Sequence, residues 1–503
     1  MEAVLAAALE GLGLVFSWPN ILYPIAGTLL AMFFSALPGL SGVTLMALAI
    51  PFTASWDLLQ TLLLFGALLG GATFMGSVTA ILVNIPGKNS NAATTLDGYP
   101  MAQQGRARTA IGCSATASAL GSTFGIGMLI LLLPLMRNAM LLIGPPEFLM
   151  FVVWGLTTIA VVTRGSPLKG LAMAGLGFCI GFVGLDPRTA ELRYTFGSTY
   201  LSDGLSLVPV FLGIFAVAQT AELMASGKRT ISGRSRVEEL TGSVREGVLS
   251  VFRHFGLFLR SALTGTAIGM IPGVGGTVAS FVAYGQAAQL AGRERDKFGT
   301  GDVRGVIAPE AANDAKDGGA LVPTLAFGVP GGSGTAMLLA AMTLHGVVPG
   351  PELMTTHLAL VFVLIWSLFF SNVLTSLLGL AAIGLFSRIT VIRTHLLAPV
   401  MLGIAALGAL AYRGRLGDLL VAFGFGVFGY YLNKHGWSRI PLVIALVLAP
   451  LFEMYFHLTV QLHELGRVYF WTRPIAMGLL LLTVLSLGLP ALQSARARRE
   501  QPA

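Results

Sequence analysis

Residues 82–100 read LVNIPGKNSNAATTLDGYP, the most polar and turn-rich run inside a chain that is otherwise almost continuous hydrocarbon. An apolar segment, 58–83, leads into it and is broken by Asn84, Pro86 and Gly87. Lys88, Asn89, Ser90, Asn91, Thr94 and Thr95 then follow in quick succession. Proline removes a backbone donor and glycine frees the backbone, so a helix opens here. In a bilayer an opened backbone persists only where protein or water satisfies its polar groups, which makes this a cavity-lining break. A second stretch, 325–334 (LAFGVPGGSG), repeats the pattern with Pro330 and Gly331, followed by Ser333 and Thr335. Two copies suggest a duplicated fold.

Working outward, composition sets the class. The chain has 503 residues, 55% of them hydrophobic and only 11% charged, with a mean hydropathy of +0.79; a soluble domain carries about 25% charged residues. This is the composition of an all-α polytopic membrane protein. Its 31 basic and 23 acidic residues leave a formal charge of +8. On such a chain that excess is a topology signal, because Lys and Arg accumulate in short cytoplasmic loops, and not a nucleic-acid surface. Cys113 and Cys179 both fall in apolar runs and carry no disulfide framework. No Lys or Arg precedes Lys88, so the positive region of a cleaved signal peptide is missing and the N-terminus is expected to be retained.

Residues 1–16 are apolar but short and are read as a re-entrant or interfacial helix. The segment 21–52 is too long for one crossing at about 20 residues each, and Pro38-Gly39 sits in its middle, so a broken helix is expected. Further apolar runs lie at 58–83, 110–135, 148–162, 168–183, 205–224, 255–291, 321–348, 357–386, 396–411, 419–432, 440–456 and 475–489. Together they give about eleven to twelve crossings. The organisation expected is an N-terminal segment (1–20), a first transmembrane repeat (21–225) and a basic cytoplasmic connector (226–247). A second repeat with additional C-terminal helices (248–493) and a cytoplasmic tail (494–503) follow. Lys228, Arg229, Arg234, Arg236 and Arg245 mark the connector, and Arg496, Arg498 and Arg499 the tail.

The duplication shows as ordered pairs. GTLLAMFFSALPGLSG (27–42) resembles GTAIGMIPGVGG (265–276), NIPG (84–87) resembles GVPG (328–331), and GPPEF (144–148) resembles PGPEL (349–353). Paired Pro/Gly interruptions in corresponding positions of two halves point to a transporter's binding site near the membrane midplane. The backbone breaks are Pro38, Gly39, Pro86, Gly87, Pro272, Gly273, Pro330 and Gly331. Helix N-termini freed there present N–H groups and partial positive charge, which favours an anionic ligand.

NIPGKNSNAATTLDGYPMAQQGRA, IPGVGG, FGTGDVRGVIAPEAANDA, GGALVPTLAFGVPG, HGVVPGPEL and GLDP (184–187) together resemble the large membrane subunit of tripartite tricarboxylate transporters, from about residue 21 to about residue 453. The resemblance implies a secondary transporter of a di- or tricarboxylate in the bacterial inner membrane, driven by an ion or proton gradient. It also implies two partners, a small four-helix membrane subunit and a periplasmic solute-binding protein. Where the family reads Gly-Thr-Pro-Ala after its first proline, this chain has Gly87-Lys88-Asn89-Ser90; Gly331-Gly332-Ser333-Gly334 departs in the same way from Gly-Ser-Pro-Ala.

The substrate- or ion-binding residues expected are Ser41, Thr44, Asn84, Lys88, Asn89, Ser90, Asn91, Thr94, Thr95, Thr277, Asn313, Ser333 and Thr335, with Na+ or H+ as the coupling ion and no catalytic residue, metal or other cofactor. Lys88 either pairs with a substrate carboxylate or reaches to an interface. The Asn, Ser and Thr residues either bind ligand or cap helices. Asp97-Gly98 is read first as a turn. Glu310, Asn313, Asp314, Lys316 and Asp317 are read either as a solvated, mutually paired loop or as part of the site, with Asn313 favoured by the resemblance. Glu147 and Glu352 follow Gly/Pro turns and suit helix caps.

Other function classes fare worse. His457 with His463-Glu464 does not make the HExxH zinc motif, and Gly87-Lys88-Asn89 lacks the glycine spacing and the Ser/Thr of a phosphate-binding loop. A gradient-independent channel or scaffold subunit remains the alternative, because broken helices also build pores.

Overall fold

The structure, a computed structural model, describes residues 2–37, 40–140, 142–162, 167–186, 188–225, 241–384, 394–467 and 470–499. Pro38, Gly39, Pro187, most of the basic connector and the last four residues lie outside the described residues. The chain is an all-α polytopic membrane protein. Helices α1 (Glu2–Phe16), α2 (Leu22–Ala36), α3 (Gly42–Thr53), α4 (Leu58–Val83) and α5 (Ala92–Gln103) are followed by α6 (Ala107–Met140), α7 (Pro145–Val162) and α8 (Pro167–Gly181). A two-residue antiparallel ladder, β1 (Gly184–Leu185) with β2 (Leu192–Arg193), interrupts them. Next come α9 (Leu207–Ala225), α10 (Val244–Arg253), α11 (Phe255–Gly269), α12 (Gly275–Leu290), α13 (Arg304–Phe327) and α14 (Ser333–Leu344). The chain closes with α15 (Leu358–Ala381), α16 (Thr394–Arg413), α17 (Leu416–Lys434), α18 (Ile440–Glu464) and α19 (Pro474–Arg499). Among the described residues, six helices are each long and apolar enough to cross a membrane, namely α4, α6, α9, α15, α17 and α18.

Two helices form the centre. α4 packs between α2 and α15, while α13 packs between α11 and α6 with α12 alongside. Small residues make these contacts close, as expected where lipid offers helices no hydrophobic drive to associate. A side chain at Gly66 or Gly70 of α4 would meet the backbone of α15, and one at Gly121 or Gly125 of α6 would meet the backbone at Ala311 and Ala315. Along the α4–α15 seam, Ser367 and Ser371 hydroxyls donate to the carbonyls of Leu63 (2.5 Å) and Ala67 (2.7 Å). The first helix, α1, lies against α15 and its Ala8 carbonyl accepts from the Trp366 indole at 2.9 Å. α9 contains a π-helical segment, Leu212–Val217, whose Ile214 carbonyl accepts from Arg439 Nη1 at 2.8 Å. Such a wide turn frees backbone groups for other partners.

The expected breaks are present, and the local chemistry explains them. The segment 21–52 divides into α2 and α3, and 255–291 divides into α11 and α12. α4 ends on Asn84 in the left-handed conformation (φ 55°) and α13 on Gly328 in the same conformation (φ 66°). In each case a proline follows two positions later and prevents the helix from resuming. The opened backbone is satisfied by protein: Gly87 N–H donates to the Gly76 carbonyl, and Gly273 N–H to the Gly331 carbonyl, both at 3.1 Å.

Two expectations are corrected. Residues 308–319, for which a solvated loop was one reading, lie inside α13, and Glu310, Asn313, Asp314 and Asp317 are at most 4% exposed. The alanines and glycines interleaved with these polar residues give neighbouring helices room to approach, and hydroxyls from α4, α5 and α6 solvate the Glu310 carboxylate in place of water. Asp97-Gly98 is no turn; both residues are buried within α5. Asp97 Oδ1 accepts the backbone N–H groups of Gly299 (2.9 Å), Gly301 (2.8 Å) and Asp302 (2.8 Å), and Oδ2 accepts the Tyr284 hydroxyl at 2.9 Å. Tertiary contacts thus override a local turn signature.

Candidate functional site

The break after α4 folds its polar residues back onto the helix they leave. Lys88 is extended (φ −127°, ψ 157°), half-buried, and its Nζ donates to Thr73 Oγ1 at 3.0 Å. Asn91, wholly buried, donates to Ser77 Oγ at 2.6 Å and to the Thr73 carbonyl at 3.3 Å. Ser90 is 8% exposed, and Thr94, buried, donates to Glu310. Asn84 and Asn89 are exposed, and Thr95 donates to the Ala92 carbonyl at 2.7 Å within its own helix. The stretch therefore divides: Lys88, Ser90, Asn91 and Thr94 turn inward, while Asn84, Asn89 and Thr95 serve the helix ends or face outward.

The second half supplies the opposing wall. Asn313 is 1% exposed, and both of its amide atoms are without a hydrogen-bond partner among the described residues. A methyl group at Gly276, in the first turn of α12, would abut Asn313 Oδ1, Lys316 Cε and Ser90 Cβ. That one position thus brings the N-terminus of α12, the middle of α13 and the first-half break together. Lys316 pairs with Asp317, and the Lys88 charge faces those of Lys316, Asp317 and Asp314. A methyl at Gly42, in the first turn of α3, would lie 3.8 Å from Lys88 Cε, so this helix N-terminus also reaches the same region.

The remaining expected residues shape this region from its edges. Ser41 caps α3, accepting the Thr44 N–H at 3.2 Å, and Thr44 Oγ1 donates to Gln219 of α9 at 3.1 Å. Thr277 is half-buried in the first turn of α12. Pro272 and Pro330 are buried at the breaks, and Gly331 N–H donates to Thr324 Oγ1 at 3.3 Å. Thr335 closes a local loop with Gly332, and Ser333 is half-buried. Pro86 is half-buried and Gly87 buried; Pro38 and Gly39 are among the residues not described.

Reading the sequence passed over a set of polar residues on apolar helices: Thr73, Ser77, Ser114, Ser118 and Asn372. Ser77 reaches Glu310 at 2.7 and 2.8 Å, Ser114 at 2.9 Å and Ser118 at 3.0 Å; Asn372 Nδ2 donates to Asp314 Oδ1 at 3.0 Å. The four-residue spacings Ser114–Ser118 and Glu310–Asp314 put each pair on one helix face, a signal available from the chain itself.

A second ionic cluster lies at the β-ladder. Arg193 Nη1 sits 2.6 Å from Glu453 Oε1 and 3.1 Å from Asp186 Oδ2, with His457 Nε2 3.8 Å from Glu453 Oε1. The guanidinium occupies the place between the two carboxylates that a metal would need. Backbone N–H groups of Thr189 and Arg188 hold the Asp186 carboxyl below the usual carboxylate range. Glu147 accepts the Gly144 N–H at 2.8 Å and pairs with Arg473, a capping and docking role at the start of α7.

Comparison with known proteins follows the same lines. The model of the tripartite tricarboxylate transporter TctA family matches residues 21–444. An uncharacterized 52.8 kDa protein in the TAR-I ttuC' 3' region of Agrobacterium vitis is 31% identical over 483 residues, covering 96% of this chain and 95% of that protein. An uncharacterized protein in the TAR-II ttuC' 3' region of the same organism is 32% identical over 237 residues, 47% of this chain and 98% of that protein. No solved structure matches.

Proposed function

The chain belongs to the tripartite tricarboxylate transporter TctA family, and from that premise we propose that it is the large membrane subunit of a binding-protein-dependent importer of a di- or tricarboxylate. The importer works in a bacterial inner membrane, beside a small membrane subunit and a periplasmic solute-binding protein, and is driven by an ion or proton gradient. The observation that carries this reading is the meeting of two breaks at a buried, amide-rich point that holds a lysine from each half. Lys88 and Ser90 come from one half, and Asn313 and Lys316 from the other. The first turns of α3 and α12 adjoin this point. The Lys88 ammonium, held by the Thr73 hydroxyl, and two helix N-termini suit an anionic ligand. Asn313, whose amide donor and acceptor have no partner among the described residues, supplies direction to the contact.

The two halves form a pair of repeats, inverted across the membrane, and alternating access moves one against the other around this fixed point. The matching ends of α4 and α13, each a left-handed residue followed by a proline, support the repeat. A gradient-independent pore is the alternative. The test is uptake of radiolabelled di- and tricarboxylates into vesicles holding this chain and its small partner, with and without the binding protein. Uptake of one carboxylate class that requires the binding protein supports the reading and names the substrate. Absence of flux for the whole panel counts against a carboxylate cargo.

A further inference from the structure

Helix α10, 10 residues long, has two faces of opposite fate. Gly247, Ser250 and Val251 are buried against α6, and a methyl group at Gly247 would meet the α6 backbone at Thr109 and Cys113. The outward face is mixed. Arg245 and Arg253 share it with Leu249 and Phe252, and all four are exposed. In α11, Phe255, Leu259 and Leu263 follow at four-residue spacing on one face, and Arg260 is exposed beside Leu259. The five apolar side chains are each between 40% and 54% exposed.

The charge on this face is unbalanced. Arg245, Arg253 and Arg260 make no ion pair or hydrogen bond among the described residues. Glu246, the acidic residue of α10, is engaged by Arg106 at 3.7 Å and by the Thr109 hydroxyl at 3.4 Å. Upstream, residues 226–240 contribute Lys228, Arg229, Arg234 and Arg236 against Glu238 and Glu239. At about 1.5 Å per residue, α10 has roughly half the length of a crossing. Exposed Leu and Phe disfavour water, and Arg disfavours hydrocarbon. The headgroup layer satisfies both, because arginine stems lie along apolar surface while the guanidinium reaches a phosphate, which its planar fork of donors matches.

We propose that α10 and the start of α11 lie in the headgroup layer of the cytoplasmic leaflet, and that Arg245, Arg253 and Arg260 bind anionic phospholipid there. The side follows from the basic connector, which the positive-inside rule puts in the cytoplasm. Basic residues beside a membrane helix attract anionic headgroups over neutral ones. This surface is built from other residues than the Lys88–Asn313 point, and the inference holds whatever the chain transports.

The experiment uses the full chain in bilayer nanodiscs, with a fluorescent label on Gly256→Cys in a Cys179→Ser background. A side chain at Gly256 has open space, and the remaining Cys113 is buried. Phosphatidylglycerol or phosphatidylcholine, carrying the same shallow acyl-chain nitroxide, is added at equal mole fraction as a short-range quencher. The expected result is quenching by phosphatidylglycerol at least about threefold more effective than by phosphatidylcholine, with the ratio falling toward one at high salt. Arg245→Gln, Arg253→Gln and Arg260→Gln together should bring the ratio to one at low salt as well. The corresponding triple lysine variant, which keeps the charge, should retain most of the preference. Equal quenching by the two lipids with the arginines intact overturns the anionic-lipid site. A label quenched by neither lipid overturns the placement in the headgroup layer and leaves this face to water or to a second copy of the chain. A preference that survives the triple glutamine variant overturns the role of these arginines.

Discussion

At the residue scale, Lys88 is the side chain on which the proposed binding point most depends. Its ammonium is directed inward onto Thr73 and faces the charges of α13. Hydrogen bonds to charged groups are worth about 1.5–3 kcal/mol. Lys88→Ala is accordingly expected to raise the half-saturating carboxylate concentration roughly tenfold to hundredfold, or abolish uptake, with normal amounts of folded protein in the membrane. Unchanged uptake kinetics would remove Lys88 from the site. Asp186 offers a residue-level test outside the membrane-spanning helices. Its depressed pKa means that the ionised carboxylate stabilises the 184–193 turn at all pH values above the unfolded value of about 3.9. That contribution is lost only as pH falls through the lower folded value. Hydrogen exchange of the Arg188 and Thr189 amides, corrected for intrinsic rates, should stay protected from pH 8 to 5 and lose protection only below about pH 4. Loss already between pH 7 and 5 would contradict control by this carboxylate. Lys88, Asn91 and Asn313 were legible in the chain because polar groups beside helix breaks stand out. Ser114, Ser118 and Asn372 were not, because single polar residues inside apolar helices look like ordinary back-bonded ones until their partners are known. Those partners lie 196 positions away for Ser114, 192 for Ser118 and 58 for Asn372.

At the scale of the element, proline and glycine decided what could be read. The breaks in 21–52 and 255–291, and those after 83 and 327, sit where Pro and Gly were expected to open helices, since few other residues do so in lipid. α13 was the element misjudged. A run such as APEAANDAKDGGA has the same composition whether water or neighbouring hydroxyls solvate it, and only the fold decides between the two. Its packing depends on the glycine seam of α6, which suggests a sharp test. Gly125→Leu would drive a side chain into the backbone at Ala315, whereas Gly127 faces open space. Overpacking typically costs about 1–3 kcal/mol, and a collision with backbone lies at the upper end or beyond. Gly125→Leu should abolish the monodisperse peak in detergent chromatography, and Gly127→Leu should leave it unchanged. Equal tolerance of both would show that α6 and α13 do not pack this closely.

For the whole molecule, composition made the polytopic all-α fold legible, and the ordered Pro/Gly pairs suggested two halves. Inversion of those halves carries a topological consequence. Single cysteines at Asn20 and Val244, ahead of the two repeats, should label from opposite sides of the membrane in a Cys179→Ser background, since Cys179 is exposed and Cys113 buried. Labelling of both from one side would contradict inversion. The central claim is that this molecule moves its ligand against a gradient by alternating access, and a pore cannot do that. The deciding measurement is the ratio of internal to external labelled carboxylate in vesicles containing the chain and its small partner, with the binding protein present, under an imposed cation gradient. An active importer gives a ratio well above one that collapses when an ionophore dissipates the gradient. A ratio that rises only to one and ignores the ionophore would contradict it and establish a channel.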